Sequence, residues 1–224
     1  MKNYVKFAVY LYVFIGYSLS NAGAYSDFFA ALTFDRPAEV EVLLAKGFDP
    51  NSPSEKGVPA LIYALQSEAP NSALVLAKFH ATQVNVQSSA GETPLMLAAI
   101  NNYAEVAKVL IERGADVNRE GWTPLHYAAT RGHRDMVRLL LENEAYIDAE
   151  APNGNTPLMM ATRYAQPLAV KLLLEEGADP TLVNHANESA LDMAIKGGNT
   201  QSVFYIRAFI ESWFIQNPVV EDVK

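Results

Sequence analysis

Between Gly121 and Glu142 the sequence reads GWTPLHYAATRGHRDMVRLLLE, which sets His126 and His133 close to Trp122, Arg131 and Asp135. A histidine near a carboxylate is the raw material of general acid–base catalysis, and a hydrolase would need in addition a nucleophile and an orienting group gathered in one pocket. The stretch is such a constellation only if its pattern is unique in the chain. If the pattern recurs, the same residues are parts of a scaffold.

Other chemistry finds little support. His80 and His185 stand alone, with no H-x-x-x-H, no C-x-x-C and no carboxylate cluster at ligand spacing, so no metal is expected. No glycine-rich phosphate loop is present, and Gly197-Gly198 reads as the end of a short helix. The absence of cysteine excludes a thiolate metal site, a cysteine nucleophile and a lipoprotein attachment. No cofactor is implied.

The chain has 224 residues, of which 50% are hydrophobic and 19% charged, and can bury a core. Its first 24 residues differ in kind. Lys2 and Lys6 give a basic start, Phe7 to Gly16 is an apolar run, and Ala22-Gly23-Ala24 offers the small residues of a cleavage site. Residues 1–24 are therefore expected to be a signal peptide cleaved after Ala24, since Ser18, Ser20 and Asn21 interrupt the run before it reaches the roughly 18 apolar residues of a membrane span. A periplasmic or secreted location follows as an expectation. Loss of Lys2 and Lys6, with no acidic residue alongside, lowers the net charge by two, from −8 to −10. With no basic stripe in the sequence, this acidity disfavours DNA, RNA and anionic lipid, and suits a basic protein partner.

The pattern does recur. GETPLMLAAINNYAEVAKVLIERGADVN (91–118) and GNTPLMMATRYAQPLAVKLLLEEGADPT (154–181) repeat the opening stretch, and Thr93, Thr123, Thr156 and Ser189 follow one another at 30, 33 and 33 residues. A period near 33 marks a repeat architecture. Weaker copies around Gly57 and Ser189, and a truncated one ending in VLLAKGFDPN, extend it over residues 25–217. Each copy reads as two short helices. Thr123 caps the first, Pro124 suits its first position because its missing N–H would be unpaired anyway, and small Ala128 and Ala129 admit a neighbour. Gly132 allows a left-handed turn, and Met136, Val137, Leu140 and Leu141 form the apolar face of the second helix.

Thr123-Pro124-Leu125-His126, Ala128-Ala129, Gly132-His133 and Leu139-Leu140-Leu141 together resemble the ankyrin-repeat family almost throughout, and the resemblance implies an all-α ankyrin-repeat solenoid of helix-turn-helix units joined by β-turn fingers. The expected division is 25–56 as N-terminal cap, then 57–90, 91–120, 121–153 and 154–186, with 187–217 as C-terminal cap and 218–224 as tail. In this family the histidine at position 126 ties adjacent units together, which removes it from catalysis. Met96, Met159 and Asp192 replace that histidine in other copies. Glu144 stands where the family has glycine, and His80 or Ala81 stands there in the second copy, so both turns are expected to be strained or reshaped. The finger between the third and fourth copies is three residues short.

The resemblance implies a protein-binding surface on the concave side, made of finger tips and first-helix outward positions. The matching residues are Glu92, Trp122, Asn155 and Glu188 on the fingers, with Ile100, Asn101, Thr130, Arg131, Arg163 and Tyr164 on the helices. Trp122, Arg131, Arg163 and Tyr164 are expected to lie close together, and their residue types dominate interface energetics. A competing reading lets Trp122 plug the shortened finger. The last helix is unusually apolar, so Phe204, Tyr205, Phe209 and Trp213 need cover, from the tail or from another chain.

The sequence thus reads as a non-catalytic exported scaffold that grips a protein. Exported bacterial members of the family are linked to assisting periplasmic enzymes such as catalase and to restraining secreted lipases, so an accessory or inhibitor of an exported enzyme is the implied role. A self-assembling structural protein is one alternative. An exported hydrolase is another, and it lacks a residue pair outside the repeating positions.

Overall fold

The computed structural model describes residues 23–216, with side chains through residue 212. Most of the expected leader, the tail 218–224 and the side chain of Trp213 lie outside the described residues. Residues through Gly91 and residues from Glu92 onward form two compact blocks. In the first, α1 (residues 23–33) pairs with α2 (Pro37–Ala45), and α3 (Ala60–Gln66) with α4 (Pro70–Lys78). In the second, four more pairs follow: α5 (Pro94–Ile100) and α6 (Ala104–Glu112), α7 (Pro124–Arg131) and α8 (Arg134–Glu142), α9 (Pro157–Arg163) and α10 (Pro167–Glu175), α11 (Ala190–Lys196) and α12 (Thr200–Gln216). Among the described residues, bridged backbone is confined to the fingers, as the single antiparallel pairs Pro53 with Pro59 and Val183 with Ser189.

Proline and a hydroxyl start the inner helices of the second block. Pro94, Pro124 and Pro157 occupy first helical positions, where the ring costs no hydrogen bond. The hydroxyls of Thr93, Thr156 and Ser189 accept the N–H groups of Met96, Met159 and Asp192 at 3.3, 3.4 and 3.1 Å. At α7 the cap is built differently: the Thr123 N–H donates to Nδ1 of His126 at 3.2 Å. Met96 and Asp192, standing where α7 has histidine, keep that acceptor role, since Met96 Sδ takes the Thr93 N–H at 3.4 Å and Asp192 Oδ2 takes the Ser189 N–H at 2.9 Å.

The buried residues follow helical periodicity. Leu95, Ala98 and Ala99 of α5, Leu125, Ala128 and Ala129 of α7, and Leu158 and Ala161 of α9 meet Val106, Ala107 and Leu110 of α6, Met136, Val137 and Leu140 of α8, and Ala169, Val170 and Leu173 of α10. In the first block Phe28, Leu32, Leu61, Leu65 and Leu76 do the same work. Polar links join consecutive pairs: Asn118 Nδ2 donates to the Glu144 carbonyl at 2.7 Å while its Oδ1 accepts from Tyr146 N–H at 2.8 Å. Asn51 makes the equivalent pair of bonds to Ala81 and Gln83 in the first block.

Every turn from inner to outer helix passes through a left-handed residue: Asp35, Glu68, Asn102, Gly132, Ala165 and Gly198, with φ between 49° and 71°. Only two of the six are glycine. The strain expected at Glu144 is present, with φ at 65°, whereas the turn at His80 and Ala81 avoids positive φ because Phe79, which caps α4, is already extended. Gly154 meets a second constraint, since a Cβ there would lie 2.8 Å from the backbone nitrogen of His185.

A left-handed residue with a Cβ costs about 1–2 kcal/mol, and glycine gives back part of that through the freer unfolded chain. Exposed Ala165 can therefore be improved. Ala165→Gly is expected to raise stability by up to about 1 kcal/mol in urea denaturation, and an equal or lower midpoint would show that its turn is unstrained.

Candidate partner-binding surface

The inner helices of the second block lie side by side, α5 against α7, α7 against α9 and α9 against α11. With their alanine faces buried, the residues at i, i+3 and i+4 on the opposite side form a strip. In α5 and its cap these are Leu97, Ile100 and Asn101, then Tyr127, Thr130 and Arg131 in α7, Met160, Arg163 and Tyr164 at α9, and Met193, Lys196 and Gly197 at α11. Leu97, Met160 and Met193 form its nearly closed floor. Arg131, Arg163 and Lys196 are exposed, and Tyr164 is 51% exposed.

The sequence-selected residues divide. Arg131, Arg163, Tyr164, Ile100 and Asn101 fall on this strip, as does Thr130, whose hydroxyl donates to the His126 carbonyl at 2.8 Å. Trp122 does not join Arg131. The two sit at opposite ends of α7, about 13 Å apart along an axis that rises 1.5 Å per residue. Trp122 is half-buried, with its ring edge-on to His126 at 5.4 Å. Glu92 is half-buried near Tyr127, whose hydroxyl is pushed up by burial first and by the Glu92 charge second. Glu188 holds Lys196 at 2.8 Å.

Asn155 requires a correction. Expected at a finger surface, it is only 1% exposed. Its carbonyl accepts from Nε2 of His126 at 2.9 Å and from the Ala151 N–H, and its Oδ1 accepts from Asn184 Nδ2 at 2.8 Å. The next finger covers it, with the His185 N–H on the Asn153 carbonyl at 3.1 Å. Asn155 is part of the scaffold.

His126 is likewise structural in its geometry. Nδ1 accepts from Thr123 and Nε2–H donates to Asn155, which assigns the neutral tautomer, and burial holds its pKa down to about 4. His133 reaches back to the Ile100 carbonyl at 3.0 Å. Among the described residues no three His, Cys, Asp or Glu side chains gather as a metal-binding group, and no helix is long and apolar enough to cross a membrane.

At the C-terminal end, Phe204 is 67% exposed. Tyr205 is half-buried, carries Lys171 Nζ 6.0 Å from its ring centre and accepts from Gln201 Nε2 at 3.1 Å. Phe209 lines a cavity of about 330 Å³ with Leu174, Ala178 and Pro180. Sequence reasoning missed Tyr127 and Met160, which the i−4 positions from Arg131 and Tyr164 would have found. It also missed a cluster in the first block, where Phe29 lies 4.9 Å from Tyr25 and 5.1 Å from Tyr63 beside a cavity of about 410 Å³.

The depressed pKa of His126 carries a sign. Because about 4 lies below the unfolded value near 6.5, the stabilisation is complete above pH 6.5 and is lost as pH falls through 4, by about 3 kcal/mol at most. The stability advantage of the native chain over His126→Gln should therefore narrow in urea melts between pH 7 and pH 4. A gap that stays constant would contradict a neutral, buried imidazole.

The geometry agrees with known proteins. A family model described as ankyrin repeats in three copies matches residues 28–120, 73–151 and 117–184. The rat ankyrin repeat and SAM domain-containing protein 6 is 32% identical over 146 residues, which cover 65% of this chain and 13% of that protein. The chain thus corresponds to a small part of that relative. The ankyrin-repeat domain of human ASB11 is 30% identical with a TM-score of 0.74, covering 81% of this chain and 82% of that one. An ankyrin-repeat domain from Acinetobacter baumannii is 25% identical with a TM-score of 0.70, over 81% and 96% respectively. With matched segments that span residues 28 to 184 and His126 tying neighbouring fingers, the chain belongs to the ankyrin-repeat family.

Proposed function

We propose that this protein is an exported, non-catalytic scaffold that holds a partner protein on the inner-helix strip and fingers of its second block, as an accessory or inhibitor of an exported enzyme. Ankyrin repeats indicate a protein-binding scaffold, and the fold is typically non-catalytic. One observation carries the reading to this surface. The residues that the repeat pattern demands, such as Thr123, His126, Thr156 and the paired alanines, are buried in neighbour contacts, while Arg131, Arg163 and Tyr164 are exposed beside them. Glu92, Ile100 and Asn101 lie along this strip as half-buried contacts, and Trp122, also half-buried, extends the surface to the fingers at the other end of α7. Export is supported by Lys2, Lys6, the apolar run Phe7 to Gly16 and Ala22-Gly23-Ala24.

The chain from Tyr25 to Lys224 should retain a protein from a periplasmic extract. Tyr164→Ala and Trp122→Ala should each lower the retained amount severalfold, since aromatic anchors dominate interfaces. Thermal melting should leave Tyr164→Ala unchanged. Retention that survives both substitutions would place the partner elsewhere.

A second reading rests on the exposure of Phe204, with Tyr205 and Phe209 nearby and Trp213 further along the same helix. If α12 mediates self-assembly, light scattering should show dimers or larger species that Phe204→Ser returns to monomers. A native monomer at high concentration would end that reading.

A further inference from the structure

We infer that the strip on α5, α7, α9 and α11 takes an acidic segment of its partner in an extended, polyproline-II-like conformation, with carboxylates at every third residue seated on Arg131 and Arg163. The inference rests on the protein-binding reading above and adds the chemistry of the partner.

Charge distribution is the first support. Twelve residues make the strip, and they include the cations Arg131, Arg163 and Lys196 and no carboxylate. This stands out in a chain of net charge −8. The outer helices behave oppositely: Lys108 pairs with Glu105 at 2.8 Å, Arg138 with Asp135 at 3.4 Å, and Lys171 with Glu175 at 3.4 Å, each within one helix. Neither Arg131 nor Arg163 pairs with a carboxylate of the described residues, and both are exposed. Glu188, Asp192 and Glu92 border the strip without pairing with either arginine. Glu188 holds Lys196, Asp192 accepts from Ser189 at the opposite end of α11, and Glu92 lies by Tyr127.

Net acidity favours a basic partner only beyond the range of local charges. Interactions between exposed charges fall off over about 8–10 Å at physiological salt, so a ligand on the strip meets its cations more strongly than acidic groups farther away. Local sign decides.

Spacing is the second support. Arg163 and Lys196 each lie seven residues after their caps Thr156 and Ser189, and Arg131 lies eight after Thr123, so the three are level to within one residue. Packed helices stand about 8–10 Å apart, which sets the step between cations. A polyproline-II chain rises about 3.1 Å per residue with three residues per turn, so its every third side chain returns to the same face after about 9 Å. A β-strand returns after two residues and about 6.7 Å, which does not match. Tyr127 and Tyr164 offer aromatic surface between the charges, suited to proline and leucine.

The test uses the Tyr25 to Lys224 chain and fluorescein-labelled peptides in anisotropy titrations. A peptide repeating Glu-Pro-Leu should bind, more weakly as salt rises, and Arg131→Glu with Arg163→Glu should weaken it by about tenfold or more. A Glu-Leu alternation with the same number of glutamates should bind less well, and a Lys-Pro-Leu repeat should not bind. The inference is overturned if the lysine peptide binds as well, if the alternating peptide binds equally, or if charge reversal changes nothing. Those failures are separable from failure of the scaffold reading. A partner still retained from extract by the doubly reversed chain, and lost with Tyr164→Ala, would keep the scaffold and reject the acidic ligand.

Discussion

None of the inner helices of the second block is long enough to exist without its neighbours. α5, α9 and α11 have seven residues and α7 has eight, whereas isolated helices shorter than about 12–15 residues are marginal in water. Their stability must come from burying one face against the next inner helix and another against an outer helix. That requirement fixes the small residues Ala98, Ala99, Ala128, Ala129 and Ala161, all 0% exposed, because larger side chains would separate helices that cannot stand apart. It also releases the remaining strip of each inner helix from structural duty. A surface for a partner is thus a by-product of how the stack is stabilised.

Polar groups between repeats are handled separately at each junction. Within the second block, His133 and Asn118 join the α5 and α7 repeats, and His126 Nε2 joins the fingers before α7 and α9. Asp148 accepts the Asp179 N–H at 3.1 Å, although burial first, and the Asp179 carboxylate as well, raise its pKa against that bond. The Asn155 and Asn184 amides link the last two fingers. Met159 offers no ring N–H for that junction, and the amide pair supplies the finger contact that a histidine makes one repeat earlier. Buried backbone and side-chain polar groups need partners, but the fold leaves open which side chain provides them.

Much of the fold was legible because the period of 33 residues and the Thr-Pro-Leu starts act locally and repeat. The turn at Glu144 was legible for the same reason, a departure from an expected glycine. The left-handed turns at Glu68 and Ala165 were not, since neither residue type favours that conformation and only the helices on both sides impose it. Asn155 shows the other limit. A polar residue in a finger reads as exposed, yet its cover comes from Asn184 and His185, some thirty residues away, through contacts that local pattern does not encode. The strip was half legible: exposed Arg131 and Arg163 were found by their place after the alanines, while Tyr127 and Met160 emerge only when the helical face is traced across all four helices.

Among the described residues no inner helix packs beyond α11. Met159 and Thr162 of α9 are 1% and 3% exposed, whereas their counterparts Asp192 and Ile195 of α11 are open to solvent, Ile195 at 52%. A polar residue at 192 suits such an end, and its carboxylate serves the Ser189 cap. An isoleucine at 195 does not. Beside this end α12 runs for 17 residues against nine in α6, α8 and α10, long enough to hold its own helical form beyond the contacts with α10 and α11. This pair therefore gains its stability from helix length and from Ile206 buried beneath it, while Phe204 and Ile195 stay apolar and open. Terminal repeats usually close a stack with a polar face. Among the described residues this pair instead extends into a long helix and keeps Phe204 and Ile195 exposed, so burial and helix length, not a polar face, account for its stability.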